Sequence, residues 1–122
     1  MSGKSCPCGY KPRSIEDLGK HLRCAHSINR KLALLIARQG CDCYWCRLPL
    51  WVFATRYSSH PLRPTIEHLI PKSAGGGGAD EGNLRAAHAI CNHLRGSMSE
   101  AEWREIIAVA MASLPEQGRL TA

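Results

Sequence analysis

The sequence has few aromatic residues and few acidic ones, and it has no long apolar run. One Phe, three Trp and three Tyr are present among 122 residues. The longest apolar run covers residues 32–37, whereas a helix that spans a bilayer needs about 20 residues. A membrane-spanning segment is therefore not expected. The length fits one domain, or one domain with a small appendage, and the shortage of large aromatic side chains predicts a modest core that needs additional bracing.

The shortage of acidic residues leaves the chain basic. Ten Asp and Glu residues stand against sixteen Lys and Arg residues, which gives a formal net charge of +6 at pH 7. A basic balance on a small chain favours a polyanionic partner such as nucleic acid. Charge alone decides little, because many basic proteins bind no nucleic acid.

Cysteine and histidine are abundant, with seven Cys and six His. A disulfide framework is one interpretation, but the odd count and the absence of an apolar signal segment at residues 1–4 do not favour it. The cysteines lie close together in the sequence, and histidines follow them at ligand-like spacings. This pattern favours structural zinc in a reducing compartment.

The first group of candidate ligands lies near the N-terminus. It comprises two cysteines separated by one residue and two histidines about one helical turn apart, namely Cys6, Cys8, His21 and His26. Two sulfur and two nitrogen donors form a tetrahedral set that zinc prefers. The segment resembles a two-Cys, two-His zinc finger, although that family has two or more residues between its cysteines. Cys24 competes with His26 for the fourth position.

The second group of candidate ligands is spread over the middle of the chain. It pairs two cysteines with a later histidine and cysteine, namely Cys43, Cys46, His88 and Cys91. Two such pairs, separated by enough residues for a hairpin and a loop, predict a second structural zinc site, with Cys41 left over. Structural zinc contributes on the order of 10 kcal/mol to the folding of small domains, which would offset the thin core.

Capping signals and propensities predict the regular elements. A capping box at residues 14–17 predicts a helix from residue 15 to about residue 24. Strong helix formers at residues 28–38 predict a second helix that ends at Gly40. The remaining predicted elements are strands at residues 48–57 and 65–69, a long loop at residues 70–82, a short helix at residues 88–95 and a terminal helix from about residue 100 to 114, of which residues 103–111 are expected to pack on the core.

Several short motifs occur together in one order along the chain. They are the Cys43 and Cys46 pair, Glu67-His68 with Pro71, Gly75-Gly76, Gly82-Asn83-Leu84, and His88 with Cys91-Asn92 before Arg95-Gly96. In this order, over about residues 41–97, they resemble an HNH nuclease, the zinc-braced branch of the ββα-metal fold. The resemblance implies an α+β protein with a ββα-metal core braced by zinc and a small N-terminal zinc finger-like module.

The resemblance also implies roles for individual residues. In the family an acid and a histidine adjoin at the end of the second strand, where the acid binds a divalent metal and the histidine activates water. Glu67 and Asn92 then become ligands of a catalytic Mg²⁺ or Mn²⁺, and His68 becomes the general base. Asn83 would complete the catalytic motif by bracing the loop and orienting the histidine. The family name calls for a final His where Asn92 stands, and His93 is the alternative ligand.

Nucleic-acid contacts are expected from basic side chains around these motifs, namely Lys72, Arg85, His93 and Arg95. The glycines at residues 75–78 would let the backbone approach the nucleic acid closely. The resulting prediction is a divalent-metal-dependent endonuclease acting on DNA, or less often RNA. The alternatives are a zinc-stabilised nucleic-acid-binding protein that does not cut, and a zinc-containing adaptor for other proteins.

The predicted organisation follows from these assignments. It consists of a zinc finger-like module at residues 1–27, a linking helix at 28–40, an HNH nuclease domain with the C-terminal helix at 41–115, and a tail at 116–122. The N-terminal module is expected to add nucleic-acid affinity through its basic residues, or to contact a protein partner. No membrane partner is expected. The resemblance implies a setting in the cytoplasm of a bacterial cell or of a phage-infected host.

Overall fold

A computed structural model of the chain describes residues 5–53, 59–71, 75 and 81–113. In chain order these residues form α1 (Ile15–His26), α2 (Arg30–Gln39), β1 (Pro64–His68), a 3-10 turn (Glu81–Asn83), β2 (Leu84–His88), α3 (Ala89–Arg95) and α4 (Glu100–Ala112). None of the helices formed by the described residues is long and apolar enough to cross a membrane.

The first two helices begin and end at capping residues. The side chain of Ser14 accepts a hydrogen bond from the Asp17 backbone amide at the start of α1, and Asn29 caps α2 in the same way. Such caps satisfy amides that have no partner within the helix. At the other end, Gly40 has φ of 106° and ends α2, as predicted. The buried faces of the two helices carry Leu18, Leu22, Leu32, Ala33 and Ile36.

The sheet has two antiparallel strands, and β2 leads directly into α3. In the register of the strands Glu67 lies opposite Arg85, and His68 lies opposite Leu84. The predicted strand at residues 65–69 is therefore confirmed within one residue at each end. The strand β2 was not predicted, because its residues have weak strand propensity and carry no polar–apolar alternation.

The predicted strand at residues 48–57 is wrong over its described part. Residues 48–53 form no strand, and only an isolated bridge joins Asp42 to Pro49. The amides of Leu50 and Trp51 bond to carbonyls of two different segments, at Cys41 and Leu62, so no single partner strand forms a ladder. Residues 54–58 lie outside the described residues. The first strand of the ββα unit is consequently β1, and the Glu67-His68 pair ends the first strand instead of the second.

The N-terminal segment and the remainder of the protein share one core. Cys6, Leu18 and Leu22 belong to the same buried cluster as Trp45 and Ala86. The predicted division between residues 1–27 and the rest of the chain therefore does not separate two hydrophobic cores. The sharing compensates for the small number of aromatic side chains, because it enlarges the one core that the chain can form.

The terminal helix α4 packs fewer of its apolar side chains against the core than its amphipathic sequence predicts. A capping box joins Ser99 and Glu102 at its start, as predicted. Of its side chains only Trp103 is buried, whereas Ile106 is 46% and Val109 is 67% exposed. Ile107, one turn further along, is half-buried and packs against the same core as Trp103. The expectation that residues 103–111 pack on the core is therefore confirmed for Trp103 and Ile107 and wrong for Ile106 and Val109. Residues from 114 onward lie outside the described residues.

The shared core makes a prediction about stability. Leu22→Ala in α1 should lower the free energy of unfolding of the whole protein by about 2–5 kcal/mol, because it leaves a cavity at a fully buried position. Leu34→Ala on α2, where the side chain is 37% exposed, is the control and should cost far less. Denaturant unfolding of the zinc-loaded protein, followed by tryptophan fluorescence, measures both. An unchanged midpoint for Leu22→Ala would mean that α1 folds independently of the core around Trp45.

Candidate functional site

The second predicted ligand group is brought together around a tight turn. The side chains of Cys43, Cys46, His88 and Cys91 place one potential ligand atom each within 4.8 Å of one another. Cys43 and Cys46 lie on the turn after α2, His88 ends β2, and Cys91 lies in the first turn of α3. Three sulfur atoms and one imidazole nitrogen are a common donor set for structural zinc.

Hydrogen bonding fixes which nitrogen of His88 faces the cluster. Its Nδ1 lies 3.2 Å from the Cys46 sulfur, and its Nε2 lies 2.9 Å from the carbonyl oxygen of Pro49. A carbonyl can only accept, so Nε2 carries the proton and donates it. Nδ1 is therefore the nitrogen that faces the cysteines, and it would be the ligand atom if a metal ion displaced its proton, an arrangement typical of histidine ligands of zinc.

Hydrogen bonds within this cluster shift the pKa values of its members in opposite directions. Hydrogen bonds from Cys46 and Cys91 lower the pKa of Cys43 far below that of a free thiol, which favours the thiolate form that binds metals. The same bond to Cys43 is the main reason that the pKa of Cys91 is raised. Burial lowers the pKa of His88, but hydrogen bonds to Cys43 and Cys46 outweigh it and raise that pKa to about 10. A zinc ion bound here would displace the protons of Cys91 and His88 and interact with all four ligand atoms.

The first predicted ligand group is also assembled. Its four members, Cys6, Cys8, His21 and His26, again lie with one ligand atom each within 4.8 Å of the others. The Cys6 sulfur is 3.3 Å from His26 Nε2, and the Cys8 sulfur is 3.3 Å from His21 Nε2. Cys24 is exposed and does not belong to the group, so the fourth position goes to His26.

Aromatic rings support the two histidines of the N-terminal group. The Tyr10 ring stacks on His21 at a centroid distance of 4.0 Å, and the Phe53 ring meets His26 edge-on at 5.7 Å. Burial is the first cause that raises the pKa of Cys6, to about 12, so this sulfur becomes a thiolate only with help from a cation. The cluster therefore has the donor set and the surroundings of a structural zinc site.

Arg95 connects the end of β1 to the end of α3. Its guanidinium donates from Nε to the Met98 carbonyl at 2.8 Å, from Nη1 to the His68 carbonyl at 2.6 Å and from Nη2 to the Leu69 carbonyl at 2.5 Å. It also lies 3.4 Å from Glu67 Oε1, and its side chain is fully buried. The prediction that Arg95 contacts phosphate is therefore wrong, because its guanidinium is buried and paired with Glu67 within the protein.

Glu67 is buried beside Arg95 and accepts further hydrogen bonds. Its Oε1 accepts from the His68 backbone amide at 3.0 Å, and its Oε2 accepts from the indole Nε1 of Trp45 at 3.0 Å. Trp45 was not singled out from the sequence. It lies between Cys43 and Cys46 in the sequence, and nothing in its local sequence indicates a contact with a strand more than twenty residues away.

His68 ends β1 with its imidazole partly exposed. Its Nε2 is buried, and that atom has no hydrogen-bond partner among the residues that the structure describes. Leaving a buried polar nitrogen unpaired costs about 1–3 kcal/mol, so such groups are rare in folded proteins and often belong to functional sites. The backbone of His68 is fixed on both sides, since its amide bonds to Glu67 and its carbonyl to Arg95.

The two asparagines of the motif contact the same region from opposite sides. Asn83 accepts from the Ile70 amide at 2.8 Å and donates to the Ile70 carbonyl at 3.0 Å, which fixes the chain just beyond His68. Asn92 donates from Nδ2 to the Ile66 carbonyl at 3.1 Å and to Thr65 Oγ1 at 3.3 Å. Within the described part of the chain only its nitrogen is engaged, so the amide oxygen of Asn92 is available as a ligand.

The other residues predicted to contact nucleic acid differ in how exposed they are. His93 is exposed on α3. Arg85 is half-buried, and its Nη1 donates to the Gly82 and Leu84 carbonyls. Lys72 lies outside the described residues, as do residues 76–78 of the glycine segment, whereas Gly75 is exposed with φ of 94°.

These features define a class of protein: a zinc-compatible ββα-metal unit in which two strands and a short helix are flanked by Cys and His clusters. Residues 59–97 match the family model of the HNH endonucleases, and the chain therefore carries an HNH domain. The match contains β1, β2 and α3 with Glu67, His68, Asn83 and Asn92. No curated protein matches the chain significantly. The predicted resemblance to this family and the predicted fold class are confirmed, and the match supports a nuclease at the level of the domain.

The two clusters predict two zinc ions per chain. Metal analysis of protein purified without added metal should show a ratio near two. Cys8→Ser should remove one ion, and Cys24→Ser, an equally exposed cysteine outside the cluster, should remove none. Among buried cysteines, Cys43→Ser should lower stability far more than Cys41→Ser. A ratio near one would contradict the N-terminal site, and a ratio near zero would contradict both.

The enclosed ion pair makes a separate prediction. Arg95→Met should lower the free energy of unfolding by about 3–5 kcal/mol, because it leaves the Glu67 carboxylate buried without its partner. Arg104→Met is the control, because Arg104 pairs with Glu100 at 3.0 Å but both side chains are about 40% exposed. Removal of that pair should cost about 1 kcal/mol or less. Equal losses in the two variants would show that the Glu67–Arg95 pair is no more important than a surface ion pair.

Proposed function

We propose that this protein is a divalent-metal-dependent endonuclease that hydrolyses phosphodiester bonds of DNA. The observation that carries the proposal is that, within the HNH domain, the Glu67-His68 pair ends β1 beside Asn92 of α3. An acid, a base and an amide oxygen on neighbouring elements are the groups that hydrolysis of a phosphodiester requires. The basic charge of the chain suits a polyanionic substrate.

His68 is the proposed general base. Histidine as a side-chain type titrates near neutral pH, so it can take a proton from water under working conditions. Because Nε2 is buried, the other ring nitrogen, Nδ1, would accept the proton from the attacking water. The hydrogen bonds that Glu67 and Arg95 make to the His68 backbone restrict the position of the ring, so its nitrogen is aimed before the substrate arrives.

Asn83 is proposed to hold His68 in position and to take no direct part in the reaction. Its side chain bonds to both backbone groups of Ile70, and its own carbonyl accepts from the Leu69 amide. The turn that follows His68 is thereby fixed from the opposite strand. We infer that loss of Asn83 would let His68 move, and that the loss would lower the rate without removing a reacting group.

The donor set at this site fits a hard cation such as Mg²⁺ or Mn²⁺. Glu67 and Asn92 supply a carboxylate and an amide oxygen, and Mg²⁺ commonly takes one or two protein oxygens and completes its shell with water and phosphate oxygens. The Glu67 carboxylate has about four lone-pair positions, of which three face Trp45, His68 and Arg95, so one remains for a metal. A cation bound there would stabilise the charge that develops on the phosphate and on the leaving oxygen.

A nucleic-acid-binding protein that does not cut is the second candidate. The specific observation in its favour is that the Glu67 carboxylate already has a buried ionic partner in Arg95. A carboxylate engaged in this way binds a metal less readily than a solvated one. The acid, the base and the asparagine are all present, however, and none of them is needed for binding alone. For this reason the nuclease is the preferred function.

Single substitutions separate the two candidates. His68→Ala removes the base and should lower cleavage of supercoiled plasmid by roughly 10²–10⁴-fold while binding persists. Glu67→Gln and Asn92→Ala should also lower cleavage, but raising the Mg²⁺ or Mn²⁺ concentration should partly restore it, because these variants are proposed to weaken metal affinity. Added metal should not restore His68→Ala. Unfolding curves of each variant are needed, since Glu67 also partners Arg95.

His93→Ala is the matched control for Asn92→Ala. His93 is the next residue on α3 and is exposed, so its loss should leave the metal dependence unchanged. A metal-dependent defect in His93→Ala instead would move the ligand by one residue. Cleavage by His68→Ala at the rate of the unaltered protein would reject the proposed base and favour the binding protein.

A further inference from the structure

Three arginines lie close to one half-buried aromatic ring. The guanidinium carbons of Arg47, Arg85 and Arg104 lie 5.6, 5.4 and 5.2 Å from the ring centroid of Tyr44. These distances are within the range of cation–π contacts. The three residues come from the turn that bears Cys43 and Cys46, from β2 and from α4, and we call them the Tyr44 arginine cluster.

The cluster has more positive charge than its surroundings balance. Glu100 accepts from Arg104 Nε at 3.0 Å and from the Tyr44 hydroxyl at 3.3 Å. Among the residues that the structure describes, it is the only carboxylate within ion-pair distance of the cluster. Guanidinium groups this close repel one another, and the repulsion is reduced if an anion lies between them. The charge surplus therefore indicates an anionic partner.

The positions of the side chains suit recognition of phosphate. Arg47 is exposed, Arg104 is partly exposed and Arg85 is half-buried against the ring. A guanidinium group offers a planar set of donors that matches the oxygens of a phosphate. Tyr44 restricts all three side chains at once, so less side-chain entropy is lost when an anion binds.

The backbone of Arg47 adds a second observation. Arg47 has φ of 67°, the left-handed conformation that glycine and asparagine adopt more readily. The turn after Cys46 would therefore accept glycine at lower conformational cost, but an arginine stands there and its side chain lies against Tyr44.

The cluster borders the proposed catalytic site. Tyr44 contacts Trp45 edge-on at 4.9 Å, and the indole of Trp45 donates to Glu67. Arg104 also lies 5.2 Å from the Trp45 ring, and Arg85 lies opposite Glu67 in the sheet. Tyr44 and Trp45 thus connect the arginines to the carboxylate of the proposed site.

We propose that the Tyr44 arginine cluster binds phosphate groups of the nucleic-acid backbone that neighbour the one being cleaved. This inference rests on the proposed nuclease function. The cluster supplies affinity and sets the position of the strand, and it takes no part in bond breaking. Neighbouring phosphates are the anions that reach such a surface whenever a nucleic acid occupies the adjacent site.

The test is the salt dependence of binding to a labelled DNA duplex, measured in a His68→Ala background so that the probe stays intact. Arg47→Gln/Arg104→Gln should weaken binding roughly tenfold near physiological salt and reduce the slope of log K against log salt by about two, since each lost phosphate contact removes about 0.9. Arg30→Gln/Lys31→Gln on α2 removes the same charge from two other exposed positions and is the control. An unchanged slope in the Arg47/Arg104 variant, or an equal change in the control, would overturn the inference.

Tyr44 provides a test that leaves the charge unchanged. Tyr44→Leu should weaken binding because the arginines lose the ring that orders them, and Tyr44→Phe, which keeps the ring, should restore it. Unfolding curves exclude a general loss of stability. Binding by Tyr44→Leu as tight as by Tyr44→Phe would show that the ring does not position the arginines.

Cleavage by the unaltered protein distinguishes the two proposals. If it cuts plasmid and the cluster variants bind and cut equally well, the cluster inference alone is wrong. If the unaltered protein neither binds nor cuts nucleic acid, both proposals are wrong, and an acidic protein becomes the partner that the charge surplus favours. In an active enzyme the cluster variants should raise KM more than they lower kcat, because the contacts are remote from the reacting bond.

Discussion

The enclosed guanidinium of Arg95 is the interaction on which the rest of the site depends. A buried arginine is tolerated only if its donors meet acceptors and its charge meets a counter-charge, and here three carbonyls and the Glu67 carboxylate supply both. The acceptors come from the end of β1 and from the turn after α3. One side chain thus restricts the distance between the strand that carries His68 and the helix that carries Asn92, the two elements that supply the proposed base and metal ligand.

The two clusters of cysteine and histidine connect segments of the chain that the small hydrophobic core alone would hold less firmly. The cluster of Cys43, Cys46, His88 and Cys91 joins the turn after α2 to the junction of β2 and α3. The N-terminal cluster fastens the first residues of the chain to α1. Because both clusters border one continuous hydrophobic core, ligand binding at either is coupled to the folding of the whole protein. If the clusters bind zinc, loss of the ion from one cluster would destabilise the other through the shared packing.

Sequence reasoning succeeded where local spacing carries the information. The ligand pairs, the N-terminal cap of α1, the end of α2 at Gly40 and the order of motifs around Glu67-His68 are all visible in short windows. It failed where a residue's role is decided by distant partners. The Ala-rich β2 has no strand signal of its own, and it is a strand because β1 pairs with it. Residues 48–53 have that signal but lack a continuous partner. The burial of Arg95 is a tertiary property, and so is the bond from Trp45 to Glu67.

The side chain of Gln39 has a consequence for how the protein behaves at high concentration. Its amide accepts from the Ala86 backbone nitrogen at 2.9 Å and donates to the Ala86 carbonyl at 2.8 Å, as the peptide group of a third strand would do. A sheet of two strands otherwise presents open edges that can pair with another molecule. Gln39 therefore occupies the centre of this edge of β2, together with the Tyr44 amide, which donates to the same Ala86 carbonyl at 3.0 Å. These bonds oppose edge-to-edge pairing with another molecule on the side that α2 covers.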